Sequence, residues 1–381
     1  MKILKKKANV VIIGGGISGL SIAYNLAKLG MEDVIVVEKR YLGSGSTGKC
    51  GTGIRQQFTT KEHIVLMKES VKLWEKLSEE LGHDIGYKQT GYLWLIRNEE
   101  ELSMFKENVK IQNEYGVPSR IISVEEALEI VPQLNPDVFI AAAFCHKDGK
   151  ASPFKTINAY YEAGKKLGVE YYTYTEVKGI IVENEKIKRV ITSRGNIETK
   201  KVVNAAGAGA RKVGEMVGIK IPVENIRHHI MVTEPFQEFI KPMVIRGKLY
   251  FTQTDRGGII GGIDMPETPS QPLKSRLDFL EVFARNLVKV MPILKNVNIL
   301  RQWAGYYVTT KDNHPILGES EKIEGFYLAT GYSGHGFMMG PVIGKLIAEL
   351  IVYGKSSIPI DALKLERFER GELIYERAVI G

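Results

Sequence analysis

The chain has 381 residues, of which 44% are hydrophobic and 25% charged, and its net charge is +8. This size and composition are typical of a globular protein with two domains. Because it has neither an apolar run of about eighteen residues nor a basic, aromatic-rich patch, we expect no transmembrane segment and no nucleic-acid binding.

The start of the chain and the cysteine content favour a cytoplasmic location. The apolar stretch from Ala8 to Ile13 is too short for a signal peptide and runs into glycines without a cleavage site. Two cysteines, Cys50 and Cys145, are too few for a disulfide framework or a cysteine metal cluster. We therefore expect a cytoplasmic protein.

A strand–helix–strand unit is predicted at the start of the chain. Residues 8–13 are apolar except for Asn9 and β-branched from Val10 to Ile13, as expected of a strand buried on both faces. Apolar residues then recur at helical spacing from Leu20 to Leu29, Gly30 ends the helix, and residues 34–38 form a second buried strand. This order builds a parallel sheet and predicts the α/β class.

The rest of the chain alternates less regularly. The predicted helices are 61–81, 99–116, 155–167 and 273–291, and the predicted strands lie in 92–96, 171–183, 200–210 and 226–264. Residues 326–351 predict a strand, a glycine-rich turn and a long helix. Because no repeat or low-complexity linker is visible, we expect a second domain woven into the first.

Three glycines follow the first strand in a pattern typical of dinucleotide binding. Gly14 permits the tight turn, Gly16 lets the backbone approach a pyrophosphate, and Gly19 lets helix and strand pack closely. Glu38 closes the second strand, where a carboxylate accepts hydrogen bonds from a ribose diol. The glycines alone do not distinguish FAD from NAD, but a motif that opens the chain favours FAD.

A second glycine-rich turn precedes the last long helix. Gly331, Gly334 and Gly336 lead into a helix that starts near Pro341. Such a helix N-terminus suits the anionic edge of a reduced isoalloxazine. The alternative is a purely structural strand-to-helix turn.

Several sequence blocks occur in the order found in one flavoprotein superfamily. They are residues 10–30, 46–58, 148–169, 202–210, 301–318 and 331–341. Through them the chain resembles, nearly end to end, the D-amino acid oxidase (DAO) superfamily of FAD-dependent oxidoreductases. Within it, the chain most resembles the group of sarcosine oxidase β-subunits and dye-linked L-proline dehydrogenase β-subunits.

The resemblance implies an FAD site built from separate parts of the chain. Residues 46–52 are similar to a loop at the FAD phosphates and isoalloxazine edge, and residues 205–207 are similar to a turn on the adenine side. Together with the glycine motif, the predicted FAD-binding residues are Gly14, Gly16, Ile17, Ser18, Gly19, Glu38, Lys39, Arg40, Ser46, Thr47, Gly51, Thr52, Val177, Ala205, Ala206, Gly207, Gly305, Gly331, Gly334, His335, Gly336 and Phe337.

The resemblance also implies catalytic residues. Arg55 matches an arginine that binds the substrate carboxylate, for which its fixed fork is suited; the alternative is a surface ion pair. Tyr250 resembles a tyrosine that covers the substrate, although a core tyrosine on a strand is an alternative. His335 lies in the flavin turn and could meet the ring. The other histidines are not spaced as a metal set, so we expect no metal.

Departures from the family pattern refine these expectations. Gly305 stands where monomeric sarcosine oxidases carry a cysteine bonded to FAD, so we expect noncovalent FAD. Ile259 or Ile260 replaces a lysine that favours reaction with oxygen, and this favours a dehydrogenase. Met338 replaces a second carboxylate-binding lysine. Ser152 and Pro153 stand near a histidine that tethers FMN in heterotetrameric relatives, so FMN at a subunit interface would be noncovalent.

These observations predict a Rossmann-type FAD-binding domain of the glutathione reductase type, formed by residues 1–86, 147–220 and 312–381. An α+β substrate domain with a mixed sheet is expected from residues 87–146 and 221–311. The predicted function is oxidation of a small secondary amino acid, L-proline or sarcosine, by hydride transfer to the flavin, with electrons passing to an α-subunit or another partner. The alternatives are a stand-alone oxidase of glycine or a D-amino acid that makes hydrogen peroxide, a non-catalytic electron-relay subunit, and an NAD-binding reductase.

Overall fold

The computed structural model describes residues 3–378. The strands are β1 (Val10–Ile13), β2 (Val34–Val37), β3 (Gly53–Ile54), β4 (Tyr92–Ile96), β5 (Ser119–Ile122), β6 (Ala141–Cys145), β7 (Gly149–Lys150), β8 (Glu170–Tyr172), β9 (Val177–Glu183), β10 (Lys186–Thr192), β11 (Gly195–Glu198), β12 (Val202–Asn204), β13 (Glu224–Pro235), β14 (Met243–Arg246), β15 (Leu249–Gln253), β16 (Gly258–Ile263), β17 (Ile299–Thr309), β18 (Ile316–Glu319) and β19 (Phe326–Thr330). The helices are α1 (Ile17–Lys28), α2 (Lys61–Leu81), α3 (Glu99–Glu114), α4 (Val124–Ile130), α5 (Pro153–Lys166), α6 (Ala210–Glu215), α7 (Leu277–Val290), α8 (Gly336–Tyr353) and α9 (Arg367–Arg370).

A six-stranded sheet forms the first core, with strand order β18-β19-β12-β1-β2-β8. Its strands are parallel except β18, which pairs antiparallel with β19. Val10 and Ile12 face a cluster with α1, α2, α5 and α8, whereas Val11 and Ile13 face β9–β11 and α6. Because both faces are covered, β1 is apolar at every position. The predicted α/β class and parallel sheet are confirmed.

Glycines allow the two helices that point at this sheet's edge to pack closely. An added Cβ at Gly19 would lie 2.0 Å from the carbonyl oxygen of Gly14, so α1 can approach β1 only without that side chain. A Cβ at Gly344 would lie 1.9 Å from Oγ of Ser21, and one at Gly340 would lie 2.3 Å from the side chain of Ile17. The N-terminal ends of α1 and α8 are therefore held side by side.

An eight-stranded mixed sheet forms the second core, with strand order β17-β13-β16-β15-β14-β4-β6-β5. Only β14 and β4 pair in parallel; the other neighbouring strands are antiparallel. Leu249 and Phe251 join a cluster with Phe279 and Phe283 of α7. Because strand residues alternate between faces, Tyr250 lies on the opposite side of the sheet. That opposite face turns toward the site described below.

The two main sheets draw on different parts of the chain. All six strands of the first sheet lie within residues 1–86, 147–220 and 312–381, and all eight strands of the second lie within 87–146 and 221–311. The mixed sheet expected of the second unit is present. The division into two domains at those boundaries stays a prediction.

Within residues 3–378, one helix is long and apolar enough to cross a membrane by length and composition. It is α8, with a mean hydropathy of 1.5 over 18 residues, and 67% of that window is buried inside the protein. Its apolar side chains, among them Met339, Val342 and Ile343, are wholly buried in the cluster that also holds α1 and α2. Its hydrophobicity is therefore that expected of a core helix.

Candidate active site

A cavity of about 330 Å³ lies at the carboxyl ends of the parallel strands β1, β2, β12 and β19. In open α/β sheets this edge is where ligands bind, because helix N-termini and connecting loops meet there. We call this space the first cavity. It extends from the β1–α1 turn past β17 to the turn that precedes α8.

The β1–α1 turn forms one wall and depends on its glycines. Gly14 has φ +115°, and an added Cβ would lie 2.3 Å from the carbonyl oxygen of Ala205. No side chain caps α1 at Gly16, and the backbone N–H of Ile17 donates to Oγ1 of Thr47 at 3.1 Å. Uncapped N–H groups and the positive end of the helix dipole favour a phosphate at this position. The turn therefore fits the pyrophosphate of a dinucleotide.

Glu38 is fixed beside this turn. Its carboxylate accepts the backbone N–H groups of Gly15 and Arg40, each at 2.8 Å, and the side chain lines the first cavity. Oε1 also accepts from Oγ of Ser44 at 3.5 Å, whereas Oε2 keeps a lone pair for a further donor. The position is compatible with the ribose hydroxyls of an adenine dinucleotide, and the role of Glu38 in binding them stays a prediction.

A second cavity of about 60 Å³ adjoins the first. The two share residues that connect them: Cys50, Gly51, Tyr250, Tyr307, Gly334 and Phe337. The second cavity adds Arg55, Tyr92, His335 and Met338, among others. Thr52, which also lines it, has φ +70°. A non-glycine residue held in this left-handed conformation is costly and is often found at binding sites.

Arg55 is the charged group of the second cavity. Its side chain is buried, and its Cζ lies 3.9 Å from the ring centroid of Phe58. Nη1 donates to the carbonyl oxygen of Gln57, while Nη2 contacts Nε2 of His335 at 3.1 Å and donates to the carbonyl oxygen of Ala378. Within residues 3–378 no carboxylate forms an ion pair with it, so the alternative of a surface ion pair is wrong.

These contacts change the expected binding mode. Both hydrogens of Nη2 are engaged, so a two-bond fork through that nitrogen requires His335 or Ala378 to release it. Burial lowers the pKa of Arg55, but a guanidinium stays charged at neutral pH. The site therefore offers a buried positive charge held from several sides.

His335 acts on Arg55 in a definable protonation state. Since a guanidinium only donates hydrogen bonds, Nε2 of His335 must accept, which places the proton of the neutral ring on Nδ1. Burial, with the charge of Arg55 as a smaller cause, holds the pKa of His335 well below its usual range. His335 is therefore neutral near pH 7 and orients Arg55.

Three tyrosines wall the second cavity. Burial raises the pKa of Tyr307 to about 12 and also raises the pKa values of Tyr92 and Tyr250. An added Cβ at Gly53 would lie 1.6 Å from the hydroxyl oxygen of Tyr92, and one at Gly51 would lie 2.8 Å from the ring of Tyr250. The 50–53 loop is thus packed directly on neutral phenols. Tyr250 lines both cavities and also packs on a cluster of Tyr92, Met243 and Ile245, so its contact with substrate stays a prediction.

Most predicted residues come together at these cavities. Those lining the first are Gly14, Gly16, Ile17, Ser18, Glu38, Lys39, Arg40, Ser46, Thr47, Gly51, Ala205, Ala206, Gly207, Gly305, Gly334, Gly336 and Phe337. Thr52, Arg55 and His335 line the second.

Three predicted FAD contacts lie outside the lining of both cavities: Gly19, Val177 and Gly331. Gly19 instead makes room between α1 and Gly14, and Gly331 makes a left-handed turn at φ +74° against Thr310. Val177 is buried in β9.

Sequence reasoning missed several lining residues. Tyr92 and Tyr307 carry no local signal, because each is one aromatic residue on a strand. Lys49 and Cys50 lie inside the loop 46–52 that was predicted to contact FAD, but neither was among the predicted FAD-binding residues. Burial lowers the pKa of Lys49, with the nearby charge of Arg40 as a smaller cause. Gly305 packs against this lysine, since its added Cβ would lie 3.3 Å from Cβ of Lys49.

A buried polar cluster lies behind Arg55. The ligand-type atoms of His63, His314 and Glu376 lie within 4.8 Å of one another. The oxygens of Glu376 already accept several hydrogen bonds, and His314 Nδ1 contacts the carbonyl oxygen of Asp312 at 3.0 Å. The positive charge of Arg55 also disfavours a cation here. The absence of a metal from the protein stays a prediction.

The geometry is that of a dinucleotide-binding protein, and comparison with known proteins identifies the family. A family model described as FAD dependent oxidoreductase (DAO) matches residues 9–350. The chain therefore belongs to this family, and the predicted family, enzyme class and FAD-binding fold are confirmed.

Individual relatives extend the comparison. L-proline dehydrogenase from P. horikoshii has a TM-score of 0.94 and 48% identity, over 97% of this chain and 100% of that structure. Sarcosine oxidase subunit beta from Rhizobium meliloti is 30% identical, over 98% of this chain and 91% of its own length. Glycine oxidase from Geobacillus kaustophilus has a TM-score of 0.89 and 25% identity, over 95% of this chain and 99% of that structure. The chain is thus an FAD-dependent oxidoreductase related to amino acid oxidases and dehydrogenases.

Proposed function

We propose that this protein oxidises a small secondary amino acid, L-proline or sarcosine. The observation that carries the proposal is Arg55, a buried guanidinium that lines a 60 Å³ cavity without a carboxylate partner in residues 3–378. A buried charge is costly unless an opposite charge accompanies it. The carboxylate of an amino acid supplies that charge, and the small cavity favours a compact substrate.

The surroundings of the cavity favour the neutral amine. No acidic residue belongs to its lining within the described part of the chain. The positive charge of Arg55 also lowers the pKa of a nearby ammonium, because like charges repel. The lone pair of the neutral amine assists departure of a hydride from the adjacent carbon, so this is the reactive form.

FAD, when bound, supplies the hydride acceptor at its isoalloxazine ring. The chain supplies orientation: Arg55 draws the carboxylate to one end of the cavity, and His335 holds Arg55. Tyr92, Tyr250 and Tyr307 exclude water around the carbon that loses the hydride. Fixing the substrate in this way lowers the entropy cost of the reaction. We propose noncovalent FAD, because Gly305 offers no side chain for a bond.

The assembly is part of the same proposal. Relatives are named as the beta subunit of sarcosine oxidase, and we propose that this chain is the catalytic β-subunit of a hetero-oligomeric dehydrogenase in the cytoplasm. Electrons would pass to an α-subunit, with noncovalent FMN held at the interface between the two. Phe154, 67% exposed beside Pro153 at the start of α5, offers an apolar contact for such an interface.

A stand-alone oxidase that makes hydrogen peroxide is the second candidate. Ile259 and Ile260 lie outside the lining of both cavities, so the cavities themselves lend no support to the argument from a missing lysine at these two positions. Lys49 does line the first cavity, and a cation beside a reduced flavin favours superoxide formation. The likeness to glycine oxidase supports the same candidate.

One anaerobic experiment separates these functions. The FAD-loaded chain, purified alone, is titrated with L-proline, sarcosine, glycine and D-alanine while the flavin absorbance is followed. We expect L-proline or sarcosine to bleach the flavin. If no amino acid bleaches it, the proposed amino acid oxidation is wrong and the result favours a non-catalytic electron-relay subunit. Admitting oxygen then distinguishes the oxidase, which returns peroxide in proportion to substrate, from the dehydrogenase, which requires a dye. The NAD-binding reductase is not proposed, because the family to which the chain belongs is FAD-dependent.

A further inference from the structure

The segment 372–378 packs against the part of the chain that carries Arg55. The carbonyl oxygen of Ala378 accepts from Nη2 of Arg55. Glu376 donates its N–H to the carbonyl oxygen of Asp312 at 3.1 Å, and its own carbonyl oxygen accepts from Nδ2 of Asn313, also at 3.1 Å. Residues more than 300 positions apart are thereby joined at one site.

Glu376 is the anchor of this segment. Its side chain is buried, and its carboxylate accepts the backbone N–H of Thr59 at 3.1 Å and of Thr60 at 3.0 Å, with both threonine hydroxyls also in contact. The N–H of Ala378 donates back to the same carboxylate at 2.8 Å. Glu376 therefore links the two residues that immediately precede α2 to the residue that holds Arg55.

Glu376 is also ionised in this position. Burial alone would raise its pKa, but the hydrogen bonds from Thr59, Ala378 and Thr60 outweigh burial and bring the pKa below its usual value. Burial lowers the pKa of Arg55, and the negative charge of Glu376 is one of the smaller influences that act in the opposite direction. The segment thus supplies a carbonyl contact to the guanidinium, and the carboxylate of Glu376 influences Arg55 only through space, without an ion pair in the described residues.

We propose that Glu376 is a positioning residue for substrate binding, acting through Ala378 on Arg55. The inference rests on the proposed function, in which Arg55 attracts the substrate carboxylate. Arg55 and His335 line the second cavity, whereas Ala378 does not. The segment therefore supports the guanidinium from behind, leaving the cavity free for substrate.

The opposite role makes the opposite prediction. If the Ala378 carbonyl competed with the substrate carboxylate for Nη2, releasing the segment would strengthen substrate binding. If the segment supports Arg55, releasing it weakens binding. The sign of the change in affinity therefore separates the two.

The test uses the FAD-loaded full chain with the substitution Glu376→Gln, which keeps the shape and removes the charge. We expect KM for the amino acid, and the dissociation constant for the non-oxidisable analogue L-tetrahydrofuran-2-carboxylate, to rise about tenfold or more, the loss of one charge-assisted hydrogen bond. The flavin content stays at the wild-type level and kcat changes less than KM. Glu372→Gln, an exposed residue of the same segment, is the matched control and leaves both constants unchanged.

A second measurement needs no activity. Trypsin cleavage after the exposed Arg377, followed by intact mass, reports release of the segment from Arg55. We expect faster cleavage in Glu376→Gln and in Arg55→Ala than in the wild type. Deleting residues 377–381 removes the Ala378 carbonyl while retaining Glu376, and should raise KM if Glu376→Gln does not fold.

The outcomes separate the two levels of the proposal. If Arg55→Ala raises KM but Glu376→Gln and the deletion do not, the positioning role is wrong and the proposed function survives. If Arg55→Ala leaves KM unchanged, the carboxylate-binding role of Arg55 is wrong, even where trypsin shows that Glu376 anchors the segment. A lower KM in the deletion would establish competition and overturn the positioning role.

Discussion

Removing the guanidinium of Arg55 tests substrate binding directly. In Arg55→Ala the cavity loses its positive charge, and the carbonyl oxygens of Gln57 and Ala378 lose their shared donor. A hydrogen bond to a charged group contributes about 1.5–3 kcal/mol, so KM should rise roughly 10- to 150-fold. Because FAD contacts are predicted in the first cavity, flavin content should stay near that of the wild type.

The assay is steady-state dye reduction over a range of substrate concentrations, with released flavin and thermal unfolding measured on the same samples. Arg120→Ala is the matched control, since Arg120 is exposed and pairs only with Glu126 in the described structure. The reasoning is refuted if Arg55→Ala keeps its flavin and fold and shows the wild-type KM. Arg55→Lys keeps the charge without the planar fork, so its KM should lie between that of the wild type and that of Arg55→Ala.

Two further predictions concern the cofactor site and pH. Gly16→Val should give apoprotein, because a branched side chain at the N-terminus of α1 blocks the approach of a pyrophosphate; Gly179→Ala in β9, where an added Cβ meets only ordinary contacts, should keep its FAD. Burial raises the pKa of Asp148 from 3.8 to about 7, so the folded protein favours the protonated carboxyl. The free energy of unfolding therefore falls as the pH rises from the unfolded pKa through 7, where the buried carboxyl loses its proton. Asp148→Asn should therefore raise the melting temperature more at pH 8 than at pH 5, and an equal change at both would contradict this assignment.

The parts of the site that lie close together in sequence could be predicted. Gly14, Gly16 and Glu38 follow two adjacent strands, and their roles depend on backbone conformation and on the end of a helix, which local sequence determines. The continuous apolar run of β1 likewise predicts a strand covered on both faces. These features need no knowledge of the rest of the fold.

The second cavity could be predicted only in part, because its contacts are long-range. Arg55 and His335 are 280 positions apart, and Thr59 and Glu376 are 317 apart. The two sheets bring these residues together, and no local pattern marks Glu376 or Tyr92. The family resemblance identified Arg55 as a carboxylate-binding residue. It did not predict that His335 and Ala378 would occupy Nη2, one of the nitrogens needed for a two-bond contact.

The central claim is that the edge of the parallel sheet holds FAD without a covalent bond. Heat or acid denaturation of the purified chain, followed by quantification of the flavin in the supernatant, tests it most directly. We predict about one FAD released per chain, with a colourless pellet. A protein that carries no flavin and takes up none when FAD is added would contradict the account, and flavin retained in the pellet would contradict its noncovalent attachment.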